Sequence, residues 1–123
     1  MTPRAVMAQL VTDMGLVAGT HPENVAAYRL AQAGHSDLAQ QFAVGRYKLD
    51  FAWPKLLVAL EVDGPHHHRP DVAHKDALRD ARLRELGWVI LRINTGEDFE
   101  RQIANASALI HCLKQAKFRP LKG

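Results

Sequence analysis

Between Phe42 and Asp63 the chain changes character at every second residue, and that period restricts its fold more than any other feature. A period of two belongs to strands with one face turned to a core. Trp53-Pro54-Lys55-Leu56 interrupts the run as a turn. With Pro54-Lys55 as the tight loop, Trp53 pairs with Leu56, Asp50 lies opposite Ala59, Lys48 opposite Glu61, and Arg46 opposite Asp63. One face of this hairpin then carries Tyr47, Leu49, Phe51, Trp53, Leu56, Val58, Leu60 and Val62, and the other carries Arg46, Lys48, Asp50, Glu61 and Asp63. A slip of one residue would mix the two sets, so the pattern favours this register.

Around the hairpin the period becomes helical. Residues 3–14 carry Val6, Leu10 and Met14 at helical spacing, and Gly15 to Thr20 reads as a break. Thr20-His21-Pro22-Glu23 opens a second helix that runs to about Ala33 and stops at Gly34; His35 to Gln40 reads as a polar connection. After the strands comes a loop, Gly64 to Pro70, bearing His66-His67-His68. Asp71 is placed to cap a helix over Val72–Leu86, ended by Gly87. Trp88 to Ile93 forms a third strand, and a last helix from about Glu97 to Ala116 carries the stripe Phe99, Ile103, Ala106, Ile110 and Leu113. The strand–helix–strand unit predicts an α/β fold with a mixed β-sheet flanked by helices. One domain is expected over residues 1–123, with 1–19 a helical extension and about 20–117 the core.

Composition narrows the function classes. Apolar residues make up 47% and charged residues 24%, as in globular chains. The lone Cys112 excludes an internal disulfide framework and a multi-cysteine zinc site. There is no bilayer-length apolar run and no cleavable leader pattern, so a cytoplasmic, intracellular protein that does not engage a membrane is expected. The net charge of +3 fits a polyanionic partner. The local pattern is more telling: the acids are flanked by Arg46 and Lys48 before them and by Arg69, Lys75, Arg79, Arg82 and Arg84 after them.

Asp50, Glu61 and Asp63 on one sheet face are spaced to share or flank a hard cation, since diagonal neighbours across strands lie roughly 7 Å apart. Mg²⁺ prefers oxygen ligands, polarises phosphates and activates water. The plain alternative is a charged outer face, with Lys48 and Glu61 as a cross-strand ion pair of small worth. Against it, Glu61 and Asp63 follow directly on an apolar strand, where uncompensated acids are costly.

Four stretches together, Val44-Gly45-Arg46-Tyr47-Lys48-Leu49-Asp50-Phe51-Ala52, Leu60-Glu61-Val62-Asp63-Gly64-Pro65-His66-His67, Asp76-Ala77-Leu78-Arg79-Asp80 and Leu86-Gly87-Trp88-Val89-Ile90-Leu91-Arg92-Ile93, resemble the family of proteins related to the very-short-patch repair endonuclease. That family lies within the PD-(D/E)xK nucleases, and the resemblance covers roughly residues 20 to 100. It implies a restriction-endonuclease-like core and Mg²⁺-dependent hydrolysis of DNA phosphodiesters, with Mn²⁺ able to substitute. It further implies a metal-ligand aspartate at Asp50, an acidic strand end at Glu61 and Asp63, a histidine matched best by His67, and a helical pair matched by Asp76 and Arg79. The set Glu23, Asp50, His67 and Asp76 is also similar to the EDxHD homing endonucleases. The superfamily's usual lysine is missing, because Asp63 stands in its place; His67 and Lys48 are the two candidates for its role.

Several residues have plainer readings. Glu23 also completes a capping box with Thr20, which needs no catalysis. The histidine run with His74 is an alternative zinc site. His21, His35 and His111 read as isolated residues that are structural or exposed, and Asp80 reads as part of a solvated helix face. Arg46, Arg69, Arg79, Arg82 and Arg92 are candidates for phosphate contacts, each otherwise a surface charge. Trp53 and Trp88 read as core. The short chain leaves target choice to a partner protein, to homodimerisation or to DNA structure. A non-catalytic DNA-binding or accessory module on the same fold is the first alternative to a nuclease, and a zinc-binding interaction protein built on the histidine loop is the second.

Overall fold

A computed structural model describes residues 21–64 and 70–117. The elements in order are helix α1 (Pro22–Gln32), strands β1 (Ala39–Val44), β2 (Tyr47–Trp53) and β3 (Val58–Asp63), helix α2 (Pro70–Glu85), strand β4 (Val89–Asn94) and helix α3 (Phe99–Lys117). The strands form one sheet in the order β1-β2-β3-β4. The first two pairings are antiparallel, and β3 runs parallel to β4. This is the mixed sheet with flanking helices that the strand–helix–strand pattern predicts.

The sheet is buried on both faces. On one, Phe51, Trp53, Val58, Leu60 and Ile93 meet Ala26 and Leu30 of α1 and Phe99, Ile103, Ala106 and Ile110 of α3. On the other, Leu49, Ala52 and Ala59 meet Leu83 of α2 and Trp88. Each fully buried large side chain contributes about 1.5–3 kcal/mol, so the first, larger cluster dominates the stability. None of the described helices is long and apolar enough to cross a membrane.

Three sequence expectations are corrected. First, Ala39–Val44 is a strand, so three strands precede α2 rather than two. It is an edge strand with a Gln40-Gln41 pair and no fully buried residue, which hides its period. Second, the β2–β3 register is two residues away from the expected one: Trp53 pairs with Val58 and Phe51 with Leu60, which sets Asp50 level with Glu61. Two-residue hairpin loops need a positive φ at their first position, which proline cannot adopt. The turn therefore takes four residues, Pro54 to Leu57, with Leu57 in the left-handed region at φ 56°. Its carbonyl accepts the Val89 amide at 2.8 Å and so starts the parallel ladder. Third, the hairpin has no single apolar face. Gln41, which faces Asp50 across β1 and β2, has φ 50°, and the ladder skips that pair. Beyond it Leu49 and Tyr47 pack with the second cluster, while Phe51 and Trp53 belong to the first. Arg46 lies in the β1–β2 turn rather than on a strand face.

Helix boundaries differ in small ways. Helix α2 starts at Pro70, which leaves Asp71 in its first turn instead of at the cap. Helix α1 is preceded by His21 with no side-chain cap, so Glu23 closes no capping box there. The expected helix over residues 3–14 and the loop histidines His66 to His68 lie outside the described residues.

Candidate active site

The site begins where β2 and β3 part. Their backbone pairing ends at Phe51 and Leu60. One step further, the side chains take over: Glu61 Oε2 accepts the Asp50 amide at 2.8 Å, and Asp50 Oδ2 accepts the Val62 amide at 2.9 Å. Two carboxylates are thus locked side by side, each held by the strand that carries or adjoins the other. Only 7% of Glu61 is exposed. On its other side β3 keeps pairing with β4, with Glu61 level with Arg92 and Asp63 level with Asn94.

Helix α2 lies over this face. Asp76, Arg79, Asp80 and Leu83 are spaced i, i+3, i+4 and i+7, one stripe of a helix. Leu83 enters the second core cluster, so the stripe must face the sheet. Arg79 reaches the Glu61 carboxylate, donates to the Lys48 carbonyl at 2.9 Å, and lies 3.4 Å from Asp80 Oδ1. Arg92 grips Asp80 with both terminal nitrogens, at 2.6 and 2.8 Å, and sets its Nε 3.4 Å from Asp63. A cleft of about 490 Å³ opens between helix and sheet, lined by Glu61, Asp63, Asp76, Arg79, Asp80 and Arg92 among others. It sits beyond the carboxyl ends of the parallel strands β3 and β4, where open α/β sheets tend to hold ligands.

Burial pushes the Glu61 carboxyl above its ordinary value, and neighbouring Asp50 adds to the push; the Asp50 amide and Arg79 work against it. Burial also opposes the charge on Asp80, but hydrogen bonds from Arg92 and the charges of Arg92, Arg79 and Arg84 outweigh it and hold Asp80 below the usual range. Asp80 in turn holds Arg92 more firmly protonated. Two carboxylates of similar ordinary acidity are thus driven in opposite directions by their surroundings.

The structure brings together Asp50, Glu61, Asp63, Asp76, Arg79 and Arg92. Arg79 and Arg92, expected as phosphate contacts, are engaged by acids of the protein itself. Lys48 contributes its carbonyl to Arg79, and its side chain is exposed. Glu23 accepts from Gln41 at 2.6 Å, and so reaches the strand position level with Asp50. Arg46 stacks over Tyr47, and Arg82 pairs with Glu85 on the surface. His67 and Arg69 lie outside the described residues, as does most of the expected zinc loop; His74 is exposed. Asp80 corrects the sequence reading: it is buried at 7% exposure and is the hub of both arginines. Its place on the Leu83 stripe was the available signal. His35 and His111 are also corrected, because they stack on each other at 4.0 Å.

Among the described residues no three His, Cys, Asp or Glu side chains already converge on one metal position. The donor chemistry nevertheless suits a hard divalent cation. Asp50 and Glu61 offer paired carboxylate oxygens, and Asp63 adds another at the cleft mouth.

Similarity to known proteins bears on the fold and the family. A Haemophilus influenzae protein described as uncharacterised is 43% identical over 51 residues, a stretch covering 42% of this chain and 42% of that relative. The catalytic domain of the homing endonuclease I-Bth0305I has the same fold, with a TM-score of 0.60 at 19% identity over 82% of this chain and all of that one. Residues 23–113, which hold every element from α1 through most of α3, match the restriction-endonuclease-like family REase_MTES_1575, and the chain belongs to that family.

Proposed function

We propose that the chain is a DNA endonuclease that hydrolyses phosphodiester bonds with a divalent metal, Mg²⁺ by preference and Mn²⁺ as a substitute. One observation carries the reading. Asp50 and Glu61 are fixed side by side by reciprocal hydrogen bonds where two strands separate, at the edge of a cleft lined with both acids and arginines. A surface hairpin has no reason to bury Glu61 at such a point.

Asp50 and Glu61 hold the metal, and Asp63 assists or takes a second ion. When bound, the metal supplies Lewis-acid polarisation of the phosphate and a more acidic water. The backbone amides of Asp50 and Val62 fix the rotamers of the two carboxylates. His67 or Lys48 acts as general base or acid, Asp76 orients His67 from the cleft wall, and Glu23 supports the Asp50 strand through Gln41. Arg46 and Arg69 supply cations for the DNA backbone, whereas Arg79, Arg82 and Arg92 do so only as far as their pairs with Glu61, Glu85 and Asp80 leave them available. The resemblance of the four stretches to the very-short-patch repair relatives supports an endonuclease of that type, with target choice set by DNA structure, by a partner protein or by a second copy.

The test is cleavage of supercoiled plasmid with Mg²⁺ or Mn²⁺. Nicking or linearisation is expected, and EDTA and Asp50→Ala should each abolish it while the variant keeps its fold. Full cleavage by Asp50→Ala would refute the assignment. A second reading is favoured by one observation: Glu61 and Asp80 already have arginine partners, which would suffice for a non-catalytic DNA-binding module. Metal-independent binding without nicking on plasmid, mismatched and branched DNA would select that reading.

A further inference from the structure

Arg79 has more to do than its place as a phosphate candidate suggests. Its guanidinium sits on Glu61 Oε1, the oxygen of Glu61 that the Asp50 amide leaves free. The same group also holds the Lys48 carbonyl at 2.9 Å and approaches Asp80 at 3.4 Å. It therefore bridges β2, β3 and its own helix from one largely buried position. Any cation that takes Glu61 Oε1 must take it from Arg79.

We infer that Arg79 is a two-position cation that links metal binding to DNA binding. In one position it neutralises Glu61 beside Asp50. In the other, a divalent ion has displaced it from Glu61, and Asp80 keeps it in the cleft facing the DNA phosphates. This inference rests on the metal-dependent reading above. Three features support it. Two adjacent carboxylates with Glu61 nearly buried require a nearby positive charge in the folded protein. Asp80, the residue that would retain Arg79, is itself fixed by two bonds from Arg92 and so does not depend on Arg79 for its place. The helix is exposed from Asp71 through Leu78, and Arg79 lines the cleft beside Asp76.

The consequence is reciprocal. If the metal frees Arg79 for phosphate, metal tightens DNA and DNA tightens metal by the same factor, since binding linkage is symmetric. Removing Arg79 abolishes both the competition and the coupling. Glutamine there should bind metal more tightly than the wild type, while losing the metal's effect on DNA.

The experiment measures Mn²⁺ affinity of the DNA-free protein from the free-Mn²⁺ EPR signal, for wild type, Arg79→Gln and Arg79→Lys. Affinity of a fluorescein-labelled duplex is then measured by anisotropy with and without Ca²⁺. The expected result is Mn²⁺ binding about tenfold tighter in Arg79→Gln, the scale of a typical coupling between sites. Arg79→Lys should fall between the two, because a single ammonium keeps the charge but not the three-way fork. Calcium should tighten DNA binding in the wild type and leave it nearly unchanged in Arg79→Gln. Circular dichroism checks folding, and if Arg79→Gln does not fold, tightening in Arg79→Lys carries the same expectation. Mn²⁺ binding to wild type with equal or weaker binding to both variants would overturn the inference and leave the metal reading standing. No Mn²⁺ binding by any of the three, at concentrations that support no plasmid cleavage either, would overturn the metal reading and this inference with it.

Discussion

Two buried polar clusters lie on opposite faces of the sheet, and they are built on different principles. On the α2 face, Glu61, Asp80, Arg79 and Arg92 alternate in sign and open onto a cleft. On the α1–α3 face, His35 is 1% exposed, bonds Ser107 at 2.8 Å, stacks on His111 and meets Trp53 edge-on at 5.4 Å. Lys114 closes that cluster by reaching both His35 and Asp37, at 3.1 and 2.7 Å. Burial pushes His35 down to about 4, helped by the neighbouring His111 and Lys114. Its ring is therefore neutral in the fold at neutral pH. The contrast shows that burial of a polar side chain does not by itself mark a reactive site. The α2 cluster holds ionised groups against a reachable surface. The His35 cluster satisfies a neutral ring inside the packing between two helices and a strand, and its one ion pair, Lys114 with Asp37, lies toward the surface.

The sharpest break between them is in activity. Glu61→Gln should lower plasmid cleavage by more than the roughly hundredfold that loss of an outer partner of a metal ligand costs. His35→Gln should leave cleavage per folded molecule unchanged. Single-turnover rates on matched active fractions measure both, and a large rate loss in His35→Gln would erase the distinction.

The next effect is on stability. Asp80→Asn leaves Arg92 and Arg79 facing a neutral amide in a buried position, which should cost about 3–5 kcal/mol at neutral pH. Asp80 has a lowered pKa in the fold, so its stabilisation is present above the ordinary carboxylate range. It is lost as pH falls through the lowered value. Urea melts of wild type and variant should therefore converge in acid. A gap that stays constant from neutral pH to acid would show that packing, not charge, makes Asp80 matter.

How much of this was legible follows from where each residue finds its partners. The apolar alternation in β2 and β3 marked the strands, and the acids at the end of β3 marked the site, because both signals are local. The register was misplaced by two residues because the turn was read as short despite Pro54; the even shift kept Asp50 and Glu61 as neighbours. β1 escaped because an edge strand with two glutamines has little apolar period to read. Asp80 escaped because its partner Arg92 comes from the next strand, twelve residues on, across a turn whose geometry the sequence does not spell out. His35 and His111 looked isolated for the same reason: 76 positions of chain separate two rings that α1, α3 and the loop after α1 bring together.

The histidine cluster has its own pH signature. The unfolded ring takes a proton near pH 6.5, the folded ring only near 4. Stability from His35 is thus complete above about 6.5 and is lost as pH falls toward 4. The loss amounts to roughly 3 kcal/mol at the acid end. His35→Gln should be less stable than wild type at pH 7 and should lack this part of the acid slope. Equal slopes in both proteins would mean the ring titrates in the fold as it does in water.

The smallest effect sets the baseline for both clusters. Arg29 of α1 pairs with Glu100 of α3 through two nitrogens, at 2.9 and 3.1 Å, and both side chains are substantially exposed. Solvent screens such a pair, so Arg29→Ala should cost at most about 1 kcal/mol. In salt near 1 M the Coulombic part shrinks further, because screening then acts over roughly 3 Å. Whatever remains belongs to the Arg29 group lying 5.5 Å over the Tyr28 ring and to its hydrogen bond to Gln32 at 2.9 Å. The Asp80 pairs share the same chemistry but hold a carboxylate that is only 10% exposed, so the cost of Asp80→Asn should survive that salt better than the cost of Arg29→Ala. If salt reduced both losses equally, the α2 cluster would be as solvated as a surface ion pair. Its arginines would then need no displacement to meet DNA.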